Sequence, residues 1–225
     1  MTTKMRIAVA VITMILPWPL KRLVLCLLLG YELSPTAKIG FSIIAGAHVR
    51  LGHGARIGHL NVCRYLSRLE LGEHARLGNL NWITGTGDNP LPTSNGGGKG
   101  EVELLIGNHS AITHRHYIDC SDRVQIGSFT TIAGVRSQIL THSINLELCV
   151  QEVKPVVIGD YCFVGTGSMV LQGSRLPNYS VLAAGSVMCD AFSDEWTLYA
   201  GVPAKPGKKI DRNSAYFHRT TGFVR

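Results

Sequence analysis

Aliphatic side chains return every six positions through much of this chain. The repeat is clearest in the second half, where six-residue steps separate Ile126 from Ile132 and then, beyond a longer gap, link Ile158, Val164, Val170, Leu176 and Leu182. A period of six fits neither the 3.6-residue period of a helix nor the simple alternation of a strand. Self-similarity at a fixed period is the signature of a repeat architecture. We therefore predict a stack of short repeated units.

An aliphatic-glycine pair opens each predicted coil: Leu51-Gly52, Leu71-Gly72, Ile106-Gly107, Ile126-Gly127 and Ile158-Gly159. The aliphatic side chain is expected to point inward, while the glycine lets backbones approach closely. Three six-residue units make one triangular coil, and stacked coils pair their backbones at about 4.8 Å. Because one unit cannot bury its apolar side alone, the pattern predicts a β-type solenoid over residues 31–205.

Two longer gaps interrupt the repeat and predict loops that are excluded from the stack, near residues 84–104 and 145–156. The first is rich in glycine but contains no GxxxxGK(S/T), which argues against a nucleotide phosphate loop. The second follows His142 directly. Loops that leave a rigid scaffold beside a reactive side chain commonly hold substrates.

The first thirty residues are predominantly apolar, with runs at 7–16 and 23–29 separated by a Pro-Trp-Pro sequence and two cations, Lys21 and Arg22. Each run is shorter than the ~20 residues that a transmembrane helix needs. No small-residue cleavage site follows, which argues against secretion. Two interpretations stay open. The segment is a helical pair at a membrane interface, with Trp18 and the cations at headgroup depth, or it is a cap that buries its leucines on the first coil.

Composition is that of an ordered β protein, with 16% charged residues and 25 glycines among 225 residues. The net charge of +7 indicates anionic partners. Nucleic acid is not expected, because the cations are dispersed and form no basic stripe with interleaved aromatics. The six cysteines are scattered without a CxxC pair, which favours reduced thiols in the cytoplasm over disulfides or a zinc site. Residues 206–225 form a basic tail.

Several blocks, in this order, resemble the hexapeptide-repeat acyltransferases. They are the repeats, the loop after His142, and the segments 158–166, 182–187 and 200–205. Within that superfamily the chain is most similar to the sugar O-acetyltransferases of polysaccharide biosynthesis and to the galactoside and maltose acetyltransferases. The resemblance implies a left-handed parallel β-helix, against the usual right-handed crossover. It also implies a homotrimer with active sites between subunits and acetyl-CoA as the donor.

The resemblance assigns His142 as the general base, because it occupies the position of the family's catalytic histidine. O-acylation needs a base that takes the proton of an acceptor hydroxyl as it attacks the thioester, and imidazole titrates near working pH. A backbone N–H at a coil turn is the expected oxyanion donor. Four positions match contacts to the donor: Thr166 and Ala184 for the pantetheine arm, and Val202 and Lys205 for the nucleotide end.

Acceptor contacts are expected from the coil before the catalytic histidine. In that coil the polar candidates are His116 and Asp119, and Asn81 with Trp82 form a further pair suited to a sugar face. One departure from the family pattern is Asp190, an acidic residue near positions where threonine and lysine are common. It weakens the case for a second phosphate contact there.

The implied function is transfer of an acetyl group from acetyl-CoA to a sugar hydroxyl in cell-surface polysaccharide assembly. The acceptor is a sugar or lipid-linked sugar. The protein is expected in the cytoplasm, and at the inner face of the membrane if its apolar N-terminus binds lipid instead of only capping the first coil. N-acetylation of an amino sugar is the alternative.

A γ-class carbonic anhydrase would need three zinc-binding histidines, for which His74, His109 and His114 are candidates. In that class a histidine directly follows the Ile-Gly pair, whereas here Asn108 does, so no metal is expected.

Overall fold

The structure is a computed structural model that describes residues 2–94, 98–222 and 224. Two helices, α1 (Thr3–Thr13) and α2 (Trp18–Leu29), precede the repeats. Helix α2 ends at Gly30, whose left-handed conformation (φ 69°) suits a residue without a Cβ. No helix in the described part of the chain is long and apolar enough to cross a membrane.

Short strands make up the rest of the regular structure, followed by a 3₁₀ helix at Ala215–His218. In chain order the strands are β1 (Glu32–Leu33), β2 (Lys38–Ile39), β3 (Ile43–Ala45), β4 (His48–Leu51), β5 (Arg56–Ile57), β6 (Val62–Arg64), β7 (Arg68–Leu71), β8 (Arg76–Leu77), β9 (Trp82–Thr84), β10 (Glu103–Ile106), β11 (Ala111–His114), β12 (Tyr117–Asp119), β13 (Val124–Ile126), β14 (Thr131–Val135), β15 (Gln138–Leu140), β16 (His142–Asn145), β17 (Val150–Val153), β18 (Val156–Ile158), β19 (Phe163–Val164), β20 (Met169–Val170), β21 (Arg175–Leu176), β22 (Val181–Leu182), β23 (Val187–Met188), β24 (Thr197–Gly201) and β25 (Ala204–Lys209).

Successive strands go to three different sheets, so the described chain winds as a triangular prism. The first sheet runs β1-β4-β7-β10-β13-β18-β21, the second β2-β5-β8-β11-β14-β19-β22-β24-β25, and the third β3-β6-β9-β12-β15-β20-β23. All neighbours within them are parallel except β24 and β25. The fold is a left-handed parallel β-helix, which confirms the predicted fold class.

The core of the prism is a set of aliphatic columns. Ile106, Ile126 and Ile158 occupy matching positions in neighbouring coils of the first sheet, and all three are buried. Glycines at the corners allow the coils to stack closely. A Cβ on Gly78 would lie 2.0 Å from the carbonyl oxygen of Thr113, so this position excludes any other residue. Each six-residue unit of the sequence therefore forms one face of the prism, with one aliphatic side chain pointing inward and one corner that leads to the next face.

Two excursions leave the stack. The first follows β9 and returns at β10, and the second is an antiparallel hairpin of β16 and β17 in which His142 pairs with Val153. The excursions touch each other, since the backbone N–H of Ser94 donates to the oxygen of Val153 and the N–H of Val153 donates to the oxygen of Pro92. Both therefore lie on the same side of the β-helix.

The α1–α2 pair covers the open end of the first coil. That coil has no neighbour on this side, so its carbonyl oxygens lack strand partners. Lys21 Nζ donates to the oxygens of Gly40 (2.7 Å) and Ser42 (3.3 Å), and Arg22 donates to those of Leu33 and Ser34 at 2.7 Å each. The expectation that these cations reach headgroup depth is therefore wrong. Lys21 is buried, and burial lowers its pKa to about 8.

Candidate active site

His142 lies where the chain leaves the third sheet for the β16–β17 hairpin. Its Nδ1 atom is 2.7 Å from Oδ2 of Asp119. Because a carboxylate oxygen only accepts, Nδ1 carries the proton and donates it. This hydrogen bond selects the tautomer in which Nε2 keeps a free lone pair, and Nε2 has no partner among the described residues. The His142 side chain is 43% exposed. It is therefore arranged to accept a proton from an external reactant.

Asp119 is held rigidly behind the imidazole. Its side chain is only 4% exposed, and its oxygens accept hydrogen bonds from Ser121 (Oγ, 2.6 Å) and from the backbone N–H of Thr141 (3.1 Å). A buried carboxylate needs such donors to offset its lost hydration. The Thr141 hydroxyl also accepts from the N–H of Asp122 at 2.9 Å. The network fixes the position of the imidazole through its carboxylate partner.

The register of the third sheet creates this pair. Asp119 ends β12, where it lies opposite Leu140 of β15 in the next coil. His142 comes two residues after Leu140, at the start of the hairpin. Asp119 is predicted from the sequence to contact the acceptor, but in the structure its carboxylate lies against His142. The positioning role was missed because the six-residue period aligns aliphatics and gives no register for the polar residues between them.

His116 and Asn81 belong to a buried polar ladder along one edge of the third sheet. The amide oxygen of Asn81 accepts from the backbone N–H of His116, and its Nδ2 donates to Asn61 and to the carbonyl of Thr113. His116 Nδ1 accepts from the N–H of Ser137. Burial, with a smaller contribution from His114, lowers the pKa of His116 to about 4. The hydrogen bonds of both side chains therefore join neighbouring coils, and neither side chain lies on the surface as the predicted acceptor contact requires.

Trp82 lies on the outer surface of the third sheet. It is 43% exposed, its neighbour in the next coil is Tyr117, and the guanidinium of Arg64 lies 5.3 Å from its ring centre. Trp82 starts β9 and Asp119 ends the neighbouring β12, so Trp82 lies near the start of these strands and His142 lies beyond their end.

The four donor candidates lie along the later coils. Thr166 and Ala184 follow β19 and β22 at the same corner, where both are exposed and the N–H of Gly185 donates to the oxygen of Thr166. Val202 lies at the β24–β25 turn and is 73% exposed. Lys205 Nζ is 3.5 Å from Oδ2 of Asp190, and both side chains are largely exposed. The four residues thus line one side of the prism beyond the coil that carries His142.

A polar cavity of about 560 Å³ lies between the two excursions. Lys99, Glu101 and Arg123 line it together with Asp122, whose pKa is raised by burial, and with Val153. Val153 is the backbone partner of His142 in the hairpin. No sequence pattern indicates this cavity, since it forms only where two loops that are distant in sequence meet.

The three histidines considered for zinc do not form a ligand set. The rings of His74 and His109 stack with their centres 5.1 Å apart, in a corner column that continues with Phe129. His114 lies on β11, where its Nδ1 accepts from the N–H of Asn79. Among residues 2–94, 98–222 and 224, no three histidine, cysteine or acidic side chains are grouped as metal ligands.

No protein-family model matches the chain, and no curated protein sequence matches it. Solved structures do share its fold. The hexapeptide-repeat-containing acetyltransferase VCA0836 from Vibrio cholerae is 17% identical, over 93% of this chain and 90% of that one, with a TM-score of 0.52. The polysialic acid O-acetyltransferase OatWY is 17% identical over 83% and 90%, with a TM-score of 0.58.

A third similar structure is the N-acyltransferase AntD from Bacillus cereus, seen with an amino-sugar nucleotide and coenzyme A. It is 12% identical over 84% of this chain and 87% of that one, with a TM-score of 0.51. At such identities the likeness establishes the shared fold. Chemistry has to be argued from the residues of this chain.

Proposed function

We propose that this protein is an acyltransferase that moves an acetyl group from acetyl-CoA to a hydroxyl group of a sugar, with His142 as general base. The observation that carries the proposal is the hydrogen bond between His142 and Asp119. An exposed imidazole whose Nδ1–H is held by a buried carboxylate, and whose Nε2 is unpaired among the described residues, is an arrangement suited to proton abstraction.

The proposed reaction follows from that geometry. Nε2 of His142 takes the proton of the acceptor hydroxyl while the hydroxyl oxygen attacks the thioester carbonyl carbon. The tetrahedral oxyanion is stabilised by a backbone N–H, then collapses and breaks the carbon–sulfur bond. The imidazolium returns its proton to the departing CoA sulfur. Asp119 stabilises the transient positive charge on the ring and keeps Nε2 aimed at the reactant.

The donor assignment rests on the fold and on four exposed positions. A structure of VCA0836 contains acetyl coenzyme A, and that of AntD contains coenzyme A. In this chain, the exposed corner of Thr166 and Ala184 is assigned to the pantetheine arm, and Val202 with Lys205 to the nucleotide end. The exposed pair of Lys205 and Asp190 is weak in water, so Lys205 is free to bind a phosphate.

A trimer would complete the site. Thr166 lies at the corner where the third sheet begins and His142 where that sheet ends, which separates them by roughly 15 Å of strand. One chain therefore presents its base and its donor groove on different edges of a prism face. A neighbouring subunit with its groove against His142 would bring the two together, as the resemblance to trimeric acyltransferases implies.

The acceptor is assigned to the polar cavity between the excursions, beside the hairpin that starts at His142. Lys99 and the partly exposed ion pair of Glu101 with Arg123 supply donors and acceptors suited to hydroxyl groups. The buried Asp119 favours O-acetylation over N-acetylation, because an alcohol needs its proton removed as it attacks, whereas a neutral amine attacks with its own lone pair. The unpaired cysteines are consistent with a cytoplasmic enzyme.

Free CoA thiol should be measured with purified protein, acetyl-CoA and a panel of mono-, oligo- and amino-sugars. Thiol release that depends on a hydroxyl acceptor and disappears in His142→Ala would support the proposal. Release with amino-sugars alone would move the assignment to N-acetylation. If there is no release, and calorimetry detects no CoA binding to the same sample, the acyltransferase assignment is refuted.

A further inference from the structure

The α1–α2 cap has a second face that touches nothing in the described chain. Its exposed side chains are apolar except for Lys4, and eight of them are large or proline: Met5, Val11, Ile12, Pro19, Leu20, Leu23, Leu27 and Leu28. Ile15, in the connection between the helices, is 73% exposed, as is Leu27. Contiguous apolar surface of this kind marks an interaction site.

Net charge is distributed unevenly along the prism. Residues 1–80 contain ten lysines and arginines but only three acidic residues, a formal charge of +7. Residues 81–225 contain twelve of each sign. The cap and the first three coils therefore account for the entire net positive charge of the protein. Since Arg6, Lys21 and Arg22 are bound to carbonyl oxygens within the chain, the remaining cations decide what this end attracts.

Three of those cations form a column on the second sheet. Lys38, Arg56 and Arg76 occupy matching positions on β2, β5 and β8, and none of them makes an ion pair within the described chain. Like charges on adjacent strands repel. On the first sheet the equivalent column is compensated, because Arg50 pairs with Glu32 and Glu70. The column of cations without acidic partners therefore lies on the second sheet, and the first sheet has no such column at the equivalent strands.

The column borders a groove of about 720 Å³ that starts at the turn between the helices. Its walls combine apolar and aromatic side chains, including Leu16, Trp18 and Phe41, with the three cations. Apolar surface at the end of the molecule, with unpaired cations just behind it, is the arrangement of a protein surface that contacts lipid headgroups and the acyl boundary together.

We propose that the N-terminal end of the β-helix docks on an anionic lipid bilayer. The exposed face of α1 and α2 lies in the interface, and Lys38, Arg56 and Arg76 meet lipid phosphates. The three cations are spaced by about 4.8 Å from coil to coil, so the furthest lies about 10 Å beyond the nearest. That distance is close to the Debye length of about 8–10 Å, so all three cations can interact with the negative charge of the lipid surface.

The charge distribution favours a membrane over a second copy of this chain on the same face. Two copies joined through their caps would bring together two ends that each carry +7, whereas an anionic bilayer neutralises the charge. The proposal does not depend on the acetyltransferase assignment, because its readout is lipid binding by the full chain without any substrate.

The test is flotation of the full-length protein with vesicles of phosphatidylcholine alone or with about 30% phosphatidylglycerol, at low and high salt. The protein should float with the anionic vesicles only, and high salt should release it. The triple variant Lys38→Gln, Arg56→Gln, Arg76→Gln should bind roughly 100-fold more weakly, from about fivefold per cation. Its control, Arg175→Gln, Lys208→Gln, Lys209→Gln, removes the same charge from exposed positions in later coils and should bind like the wild type.

A second pair of variants tests the apolar face. Ile12→Gln, Ile15→Gln and Leu27→Gln together should abolish flotation without lowering the melting temperature, since these side chains are exposed. The control changes Ile144, Leu146 and Leu148 of the hairpin, also exposed, to Gln. Equal binding to neutral vesicles would overturn the proposal. So would a doubling of molecular mass by light scattering that the cap variant abolishes, because the face would then join two copies.

Discussion

Asp119 and His142 belong to neighbouring coils, 23 positions apart, and their side chains meet at 2.7 Å with the proton on Nδ1 of the histidine. The contact depends on two structural features: the parallel register that puts Asp119 opposite Leu140, and the exit of the chain into a hairpin directly after Thr141. The same corner of the prism therefore positions both the predicted base, His142, and the carboxylate of Asp119 that orients it.

Replacing Asp119 by Asn should lower kcat at least tenfold and leave KM for acetyl-CoA nearly unchanged. The amide can donate to Nδ1 and so stabilise the tautomer in which Nε2 is protonated and cannot act as a base. Asp160→Asn is the control: Asp160 accepts from the backbone N–H of Ser128 at another corner of the prism, outside the cavity assigned to the acceptor. Equal losses in the two variants would indicate a structural effect only.

Replacing His142 by Ala should reduce transfer by roughly 100-fold to 10,000-fold, the usual contribution of a general base. CoA binding by calorimetry should not change, because the His142 side chain hydrogen-bonds only to Asp119 among the described residues. The protein should stay folded, since the Asp119 carboxylate keeps its hydrogen bonds from Ser121 and Thr141. A variant that keeps wild-type turnover would exclude His142 as the base.

A shared active site predicts complementation between inactive subunits. His142→Ala removes the base, and Ala184→Trp fills the exposed corner assigned to the pantetheine arm. Co-expression of the two should restore about a quarter of wild-type activity, because one interface in four then combines both intact halves in a randomly mixed ring. Separately purified and mixed variants that do not exchange subunits are the control. If co-expressed mixtures stay inactive, each chain must carry a complete site or the assignment of Ala184 is wrong.

His116 should make the fold less stable in acid. Its pKa in the folded state is about 4, below the ~6.5 of an unfolded histidine, so the unfolded chain binds more protons between these values. Stability is therefore full above pH 6.5 and falls by roughly 2–3 kcal/mol as pH drops to 4. His116→Gln should flatten this part of the curve in urea titrations at several pH values, and exposed His48→Gln should not. A curve that His116→Gln leaves unchanged would contradict the prediction.

Gly78→Ala should destabilise the stack by more than about 3 kcal/mol, since the new methyl group would meet the carbonyl oxygen of Thr113 and backbone cannot rotate away. Gly46→Ala is the control. There the nearest atom to the added Cβ is a side-chain carbon of Val49 at 3.1 Å, which can adjust. The two melting temperatures should differ clearly, and equal values would show that the coils can separate at Gly78.

The sequence by itself determined the repeat, its aliphatic columns and the positions of the two excursions. These follow from local spacing, because an inward residue recurs once per prism face whatever the neighbouring coils contain. The prediction of His142 as the base came instead from the resemblance of the motifs around it to those of a known family. The sequence allows two interpretations of the N-terminal segment. In the structure its cations Lys21 and Arg22 bind carbonyl oxygens of the first coil.

Only the tertiary structure decided which polar residues meet. Asp119 lies behind the imidazole and not on an acceptor, Asn81 and His116 are buried between coils, and a polar cavity forms between two loops that are far apart in sequence. Excursions of unequal length separate the coils, so sequence spacing does not reveal which residues become neighbours. Those contacts are determined by the strand register across the stack, and register is a property of the folded chain.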